Sequence, residues 1–149
     1  MDILDKKLEL LKRVVNINKE FYSKEDIMEY YAKSRWAYKL FHSKQGCMHF
    51  ALTLDDYDGV FAQAHLVNKN IDEHTESILE VGCGNDANLK YLAKLNRDID
   101  FYGIDLSKTE KVKSNNITTM HGDYHKLDMF DDNSMDIIFG VETLSYASD

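Results

Sequence analysis

The stretch Ile78–Leu92, ILEVGCGNDANLKYL, sets Gly82 and Gly84 between an apolar run and a helical pattern. Glycines at such a junction let the backbone turn sharply and approach a ligand closely. The helix that follows adds free N–H groups at its first turn. Glu80 stands just before the loop. A carboxylate there attracts a cationic group and would repel a pyrophosphate. Asp105 lies 23 positions after Gly82, at the end of another apolar run. It can take both hydroxyl protons of a ribose. Asp123, in HGDY, can accept from an adenine amino group, and the N–H of Tyr124 can donate to a ring nitrogen. Together these are groups suited to a nucleoside.

Such residues meet only if a sheet brings their strand ends together. SILEVG, DIDFYGIDLS, NNITTMHGDY and SMDIIFGVETLSY read as four strands. NDANLKYLAKLN reads as a helix with Leu89, Leu92 and Leu95 on its buried stripe. Strand–helix–strand spacing predicts a parallel sheet in a doubly wound α/β fold, whose ligands sit at the carboxyl ends of the strands. Ile137, Ile138, Phe139 and Val141 form the apolar run expected of a strand covered on both faces. Upstream, helical periodicity predicts helices over Ile3–Ile17, from Ser23 onward with a capping-box start, and over Tyr57–Ile71. Gly46 marks a break between them.

A chain of 149 residues with 44% hydrophobic residues and no proline suits a packed core without an evident interdomain linker. No stretch is apolar enough to span a bilayer. The N-terminus mixes charges through its apolar positions, unlike a secretory signal, so the cytoplasm is the expected compartment. The net charge of −8 disfavours nucleic acid as a partner. SKTEKVKSNN reads as a solvated connection. Cys47 and Cys83 match no metal or redox spacing and read as buried free thiols.

Several other residues have a bland reading beside a functional one. His42, His65 and His74 read as solvated or structural. His121 and His125 flank Gly122 and Asp123, where local capping competes with a role as base. Tyr30, Tyr31 and Trp36 have helical spacing and read as core, with a lid wall as the alternative. Asp86 stands where a third loop glycine is often found. An acid suits a helix N-terminus, but could also crowd a ligand. GCGNDA by itself also fits the dinucleotide pattern G-x-G-x-x-A, which keeps an NAD-type dehydrogenase half-domain as a distant third reading. Glu80 and the Gly-Asp pair after the third strand both speak against it.

E-x-G-x-G, an acid closing the second strand and Gly-Asp after the third, in that order, resemble the class I S-adenosylmethionine-dependent methyltransferases. ILEVGCGNDANLKYLA is similar to their first motif and FYGIDLS to their second, and the stretch from His121 to Asp149 resembles their third-to-fourth strand region. More loosely, Tyr30, Tyr31, Trp36 and the MHF segment with His49 resemble the helical lid of small-molecule members. The resemblance implies a Rossmann-like sheet of about four strands, a partial version of the family's seven-strand core, in the order 3-2-1-4. Residues 1–75 would be an N-terminal helical lid and residues 76–149 the N-terminal half of the cofactor domain. It implies S-adenosyl-L-methionine as cofactor: Glu80, Gly82 and Gly84 around its amino-acid end, Asp105 on the ribose, Leu106 packed on the adenine, and Asp123 and Tyr124 at the adenine edge. The acceptor would be a small molecule methylated by direct displacement. Glu142 and Tyr146, after the fourth strand, are the candidates for its side of the site; no catalytic residue is assigned. A non-catalytic cofactor-binding or interaction module is the rival. A fourth strand left at the edge would favour a homodimer.

Overall fold

The computed structural model describes residues 23–38, 43–107 and 114–147. The helix expected over Ile3–Ile17 lies outside them, as does His42. The first described helix, α1, spans Lys24–Ala37. Its start is the expected box: Ser23 Oγ accepts from the Asp26 N–H at 3.2 Å, and Asp26 Oδ2 accepts from the Ser23 N–H at 3.1 Å.

One expected helix is shorter than its periodicity suggests. Leu52–Thr53 (β1) and Asp58–Gly59 (β2) pair antiparallel in a small hairpin, and α2 begins only at Ala62, running to Lys69. Tyr57–Val60 therefore belong to the hairpin and turn, not to the helix. A short turn through Asp55 and Asp56 closes the ladder, with Thr53 Oγ1 donating to Asp58 Oδ1 at 2.9 Å. The span expected to be a helical lid thus contains β-structure.

The main sheet follows the expected plan. β3 (Ser77–Val81), β4 (Asp100–Asp105), β5 (Ile117–His121) and β6 (Ile137–Phe139) pair parallel in the order β5-β4-β3-β6, which is 3-2-1-4 in the strands' own sequence. α3 (Ala87–Leu95) joins β3 to β4. Alternate residues of β3 feed two cores. Ile78 packs with Leu89, Leu92, Phe101 and Ile117 under α2 and α3. Leu79 and Val81 pack with Ile104 on the other face, against Tyr124, Leu127, Phe130 and Met135. That second face is covered, among the described residues, by loop side chains. Cys47 and Cys83 are buried and free, as expected.

β6 departs from expectation. Its burial is partial, and Ile138 is 57% exposed. Hydrophobicity alone does not distinguish a covered strand from an edge strand. Asp136 anchors the start of β6: its Oδ2 accepts from the N–H groups of Glu76 and Ser77, each at 2.9 Å. Those bonds hold the Asp136 carboxyl below its usual range.

Candidate functional site

Burial decides the chemistry of Glu80. It sits on the face of β3 that α3 covers, only 2% exposed. Asn88, in the first turn of α3, donates from Nδ2 to Glu80 Oε1 at 2.8 Å. Glu80 Oε2 is buried and has no hydrogen-bond partner among the described residues. Burial pushes this carboxyl up to about 8; Asn88 opposes the rise, and the charges of Asp86 and Asp105 add to it. The sign of the consequence follows. Between the usual carboxyl range and about pH 8 the folded protein keeps a proton that the unfolded chain has released. Glu80's contribution to stability is therefore full in acid and lost as pH rises through about 8. Glu80→Gln should flatten that part of a pH-dependent melting series; an unchanged slope would place the proton elsewhere.

The loop after β3 is built around two left-handed glycines, Gly82 at φ +68° and Gly84 at φ +54°. At Gly82 the close neighbour is protein. A Cβ there would lie 2.1 Å from Thr143 Oγ1, so the segment after β6 crosses directly over the loop. A Cβ at Gly84 would meet Met48 Sδ at 3.4 Å. Asp105 fastens the loop to β4. Its Oδ2 accepts from the Gly84 N–H at 2.8 Å, and its Oδ1 accepts from the N–H and hydroxyl of Ser107. A carboxylate has about four acceptor positions, so a diol reaching Asp105 finds most of them in use.

Asp86 takes the αL conformation at φ +59° as the residue before α3, without a side-chain cap bond. This is the backbone geometry that favours glycine. Its side chain is 3% exposed, and Oδ1 accepts from Cys83 Sγ at 3.4 Å. Asp86 is not among the residues lining the cavity, so it acts on the site through charge, not crowding. Asp86→Gly should ease ionisation of Glu80 and tighten S-adenosylhomocysteine binding. A clear loss of affinity in a folded variant would show that the Asp86 charge attracts the ligand.

Glu80, Gly82, Gly84, Asp105, Leu106 and Tyr124 all line one cavity of about 500 Å³. That volume lies within the usual range for small-molecule sites. Ile27, Met28 and Tyr31 of α1 line it from above, with Met48, His49 and Phe50 beside them. Tyr31 is therefore a wall residue. Tyr30 packs edge-on against it with ring centroids 5.2 Å apart. Asp123 does not line the cavity; its carboxylate is held by Lys24 of α1 and by the backbone N–H and ring of His125. Lys24 first, and then His125, keep it well below the usual carboxylate range. His125 thus works locally at this carboxylate. Tyr124 donates from its hydroxyl to the Thr143 carbonyl at 3.3 Å, and its ring stacks on His125.

Glu142 lines the cavity at φ +53°, and its Oε1 accepts from the Phe50 N–H at 3.1 Å. It ties the segment after β6 to the segment before the hairpin. Tyr146 ends a 3-10 turn, Leu144–Tyr146. His121 is exposed and outside the cavity lining. Sequence reading did not single out Asn88, Ser107 or Lys24. Asn88 had one signal, its place one helical step past the loop. Lys24 had none, because its partner lies 99 positions away.

No curated protein matches the chain. Residues 79–149 match a family model described as a methyltransferase domain. The sheet order, the glycine loop after β3 and the acid closing β4 agree with that match, which is consistent with a class I methyltransferase domain over those residues.

Proposed function

We propose that the protein is an S-adenosyl-L-methionine-dependent methyltransferase acting on a small-molecule acceptor. The observation that carries this reading is Glu80 Oε2, a buried oxygen without a partner among the described residues, on a side chain in the wall of the cavity. An ammonium donating to it would supply the bond it lacks. A pyrophosphate would not, which disfavours a dinucleotide. The loop backbone at Gly82 and Gly84 would surround the amino-acid end, Asp105 the ribose, Leu106 the adenine face, and the Tyr124 N–H the adenine edge. Asp123 would have to share its carboxylate with Lys24 and His125 to reach an amino group.

When bound, the cofactor supplies an electrophilic methyl group. This chain's part is alignment and exclusion of water. The apolar roof of Ile27, Met28, Tyr31 and Met48 would shield the reacting atoms and accommodate an acceptor with apolar surface. The residues of the roof and floor would hold the acceptor's nucleophile next to that methyl group. Any proton the nucleophile carries leaves to solvent or to a nearby base. Two free buried thiols suit a reducing compartment such as the cytoplasm, and no described helix is long and apolar enough to cross a membrane.

Calorimetry with S-adenosylmethionine, S-adenosylhomocysteine and NAD tests the binding, with transfer of labelled methyl to a metabolite extract as the assay of activity. Binding of the first two without NAD is expected. Binding without transfer to any acceptor would leave a non-catalytic cofactor module, and binding of NAD alone would overturn the reading.

A second copy of the chain is proposed as a further partner, through the outer edge of β6, where no strand pairs among the described residues. Unpaired N–H and C=O groups beside exposed Ile138 are a template for strand addition. Light scattering over a concentration series should show a dimer that Ile138→Lys disperses. A monomer at every concentration would refute it.

A further inference from the structure

Three buried polar groups run in a line from the segment before the hairpin to the strand end. His49 is 6% exposed, Asn88 4% and Glu80 2%. His49 Nε2–H donates to Asn88 Oδ1 at 3.2 Å, and Asn88 Nδ2 donates to Glu80 Oε1 at 2.8 Å. With Glu80 ionised and the His49 proton on Nε2, the amide has one orientation that satisfies both neighbours. Turned over, it would set Oδ1 against a Glu80 oxygen and Nδ2 against the donor of His49. His49 Nδ1 lies 3.2 Å from the Phe50 carbonyl oxygen, which also accepts from Gln63 Nε2 at 2.8 Å. The backbone of Phe50, a residue lining the cavity, thus lies beside the ring.

The geometry points to His49 as a positioning residue for the cationic end of the cofactor, holding Asn88 so that Glu80 meets an ammonium as a carboxylate. The inference rests on the cofactor reading above. Without the His49 donor, Asn88 can turn its carbonyl to Glu80, and a carbonyl there accepts a bond only from the protonated acid. Other groups facing Glu80 do not replace this control. Asp86 before α3 and Asp105 at the end of β4 both favour the proton, and the Cys47 and Cys83 thiols are neutral neighbours. Binding of an ammonium to Oε2 should expel the Glu80 proton to solvent. The roof and the charge at the cavity floor are thereby linked: the carboxylate is set for its ligand only while the His49 segment is seated.

The test uses the full chain and three variants. His49→Phe removes the donor, His49→Gln can restore one from its amide, and Asn88→Leu removes the bridge. Two ligands separate the effects: S-adenosylhomocysteine carries the ammonium, and 5′-methylthioadenosine lacks the amino-acid end. His49→Phe should weaken S-adenosylhomocysteine about tenfold, the size of one well-placed hydrogen bond, and leave 5′-methylthioadenosine unchanged. His49→Gln should recover most of the loss. Asn88→Leu should reproduce it, and the double variant should add nothing. Calorimetry in buffers of different ionisation enthalpy should show proton release with S-adenosylhomocysteine alone. In the ligand-free protein, carbon-13 titration of the Glu80 carboxyl should move upward in His49→Phe and return in His49→Gln. Equal weakening of both ligands, or an unmoved Glu80 titration, would overturn the inference. If the wild-type chain bound neither nucleoside, the cofactor reading would fall and take the ammonium role with it. The Glu80 titration would still decide whether His49 sets that carboxyl.

Discussion

Asp105→Ala should weaken S-adenosylhomocysteine binding by about 1.5–3 kcal/mol, the range for hydrogen bonds to a charged group. That is roughly 10- to 150-fold in Kd. Two losses are combined in it. The ribose would lose its acceptor, and the Gly84 N–H would lose the bond that holds the loop to β4. Asp105→Asn separates them, because its amide oxygen can still accept from Gly84 while its other end becomes a donor. If the ribose contact dominates, Asn should be nearly as damaging as Ala. If loop anchorage dominates, Asn should recover most of the affinity. Asp123→Ala should cost less. Its carboxylate is already satisfied by Lys24 and His125, so an adenine amino group would exchange one set of bonds for another. Calorimetry on folded variants is the measurement. Unchanged affinity in both would place the nucleoside elsewhere.

The sheet was legible because its punctuation is local. An apolar run ending in Gly82 and a second ending in Asp105 mark strand ends by residue type alone, and parallel connection rules then leave few orders. The 3-2-1-4 order itself came from the family resemblance that those marks carry. The hairpin at Leu52–Gly59 was not legible, because its two-residue strands are too short to show alternation and helical spacing continues through Val60. Ile138 misled in the opposite way, since an apolar triplet carries no information about which neighbour covers it. Around the cavity, residues marked by their own position in a motif were legible: Glu80, Gly84 and Asp105 all line it. Residues that act through distant partners were not. Asn88 matters because His49 lies 39 positions before it, and Lys24 because Asp123 lies 99 positions after it. Such pairings are created by the fold.

Gly82→Ala should be the most damaging single substitution in the loop, costing about 2–5 kcal/mol of stability from left-handed backbone strain plus overpacking. Gly82 lies at φ +68°, and its added Cβ would fall 2.1 Å from Thr143 Oγ1 and 2.6 Å from Thr143 Cβ. Both are far inside contact distance, and Thr143 is a short β-branched side chain with little freedom to withdraw. The two costs can be separated. Thr143→Gly removes the whole obstructing side chain and leaves the Gly82 backbone as it is. The double variant Gly82→Ala, Thr143→Gly should therefore recover the overlap and keep the strain, so the two changes will not add. Urea unfolding of the four proteins gives the coupling energy directly. Strict additivity would mean that the segment after β6 does not cross the loop, and the cavity wall built from Gly82, Glu142 and Thr143 would then have to be redrawn. A large coupling with a restored midpoint would tie that segment to the motif loop. Cofactor binding and the acceptor side of the cavity would then share one mechanical element, because Glu142, which holds Phe50 beneath the roof, is the residue next to Thr143.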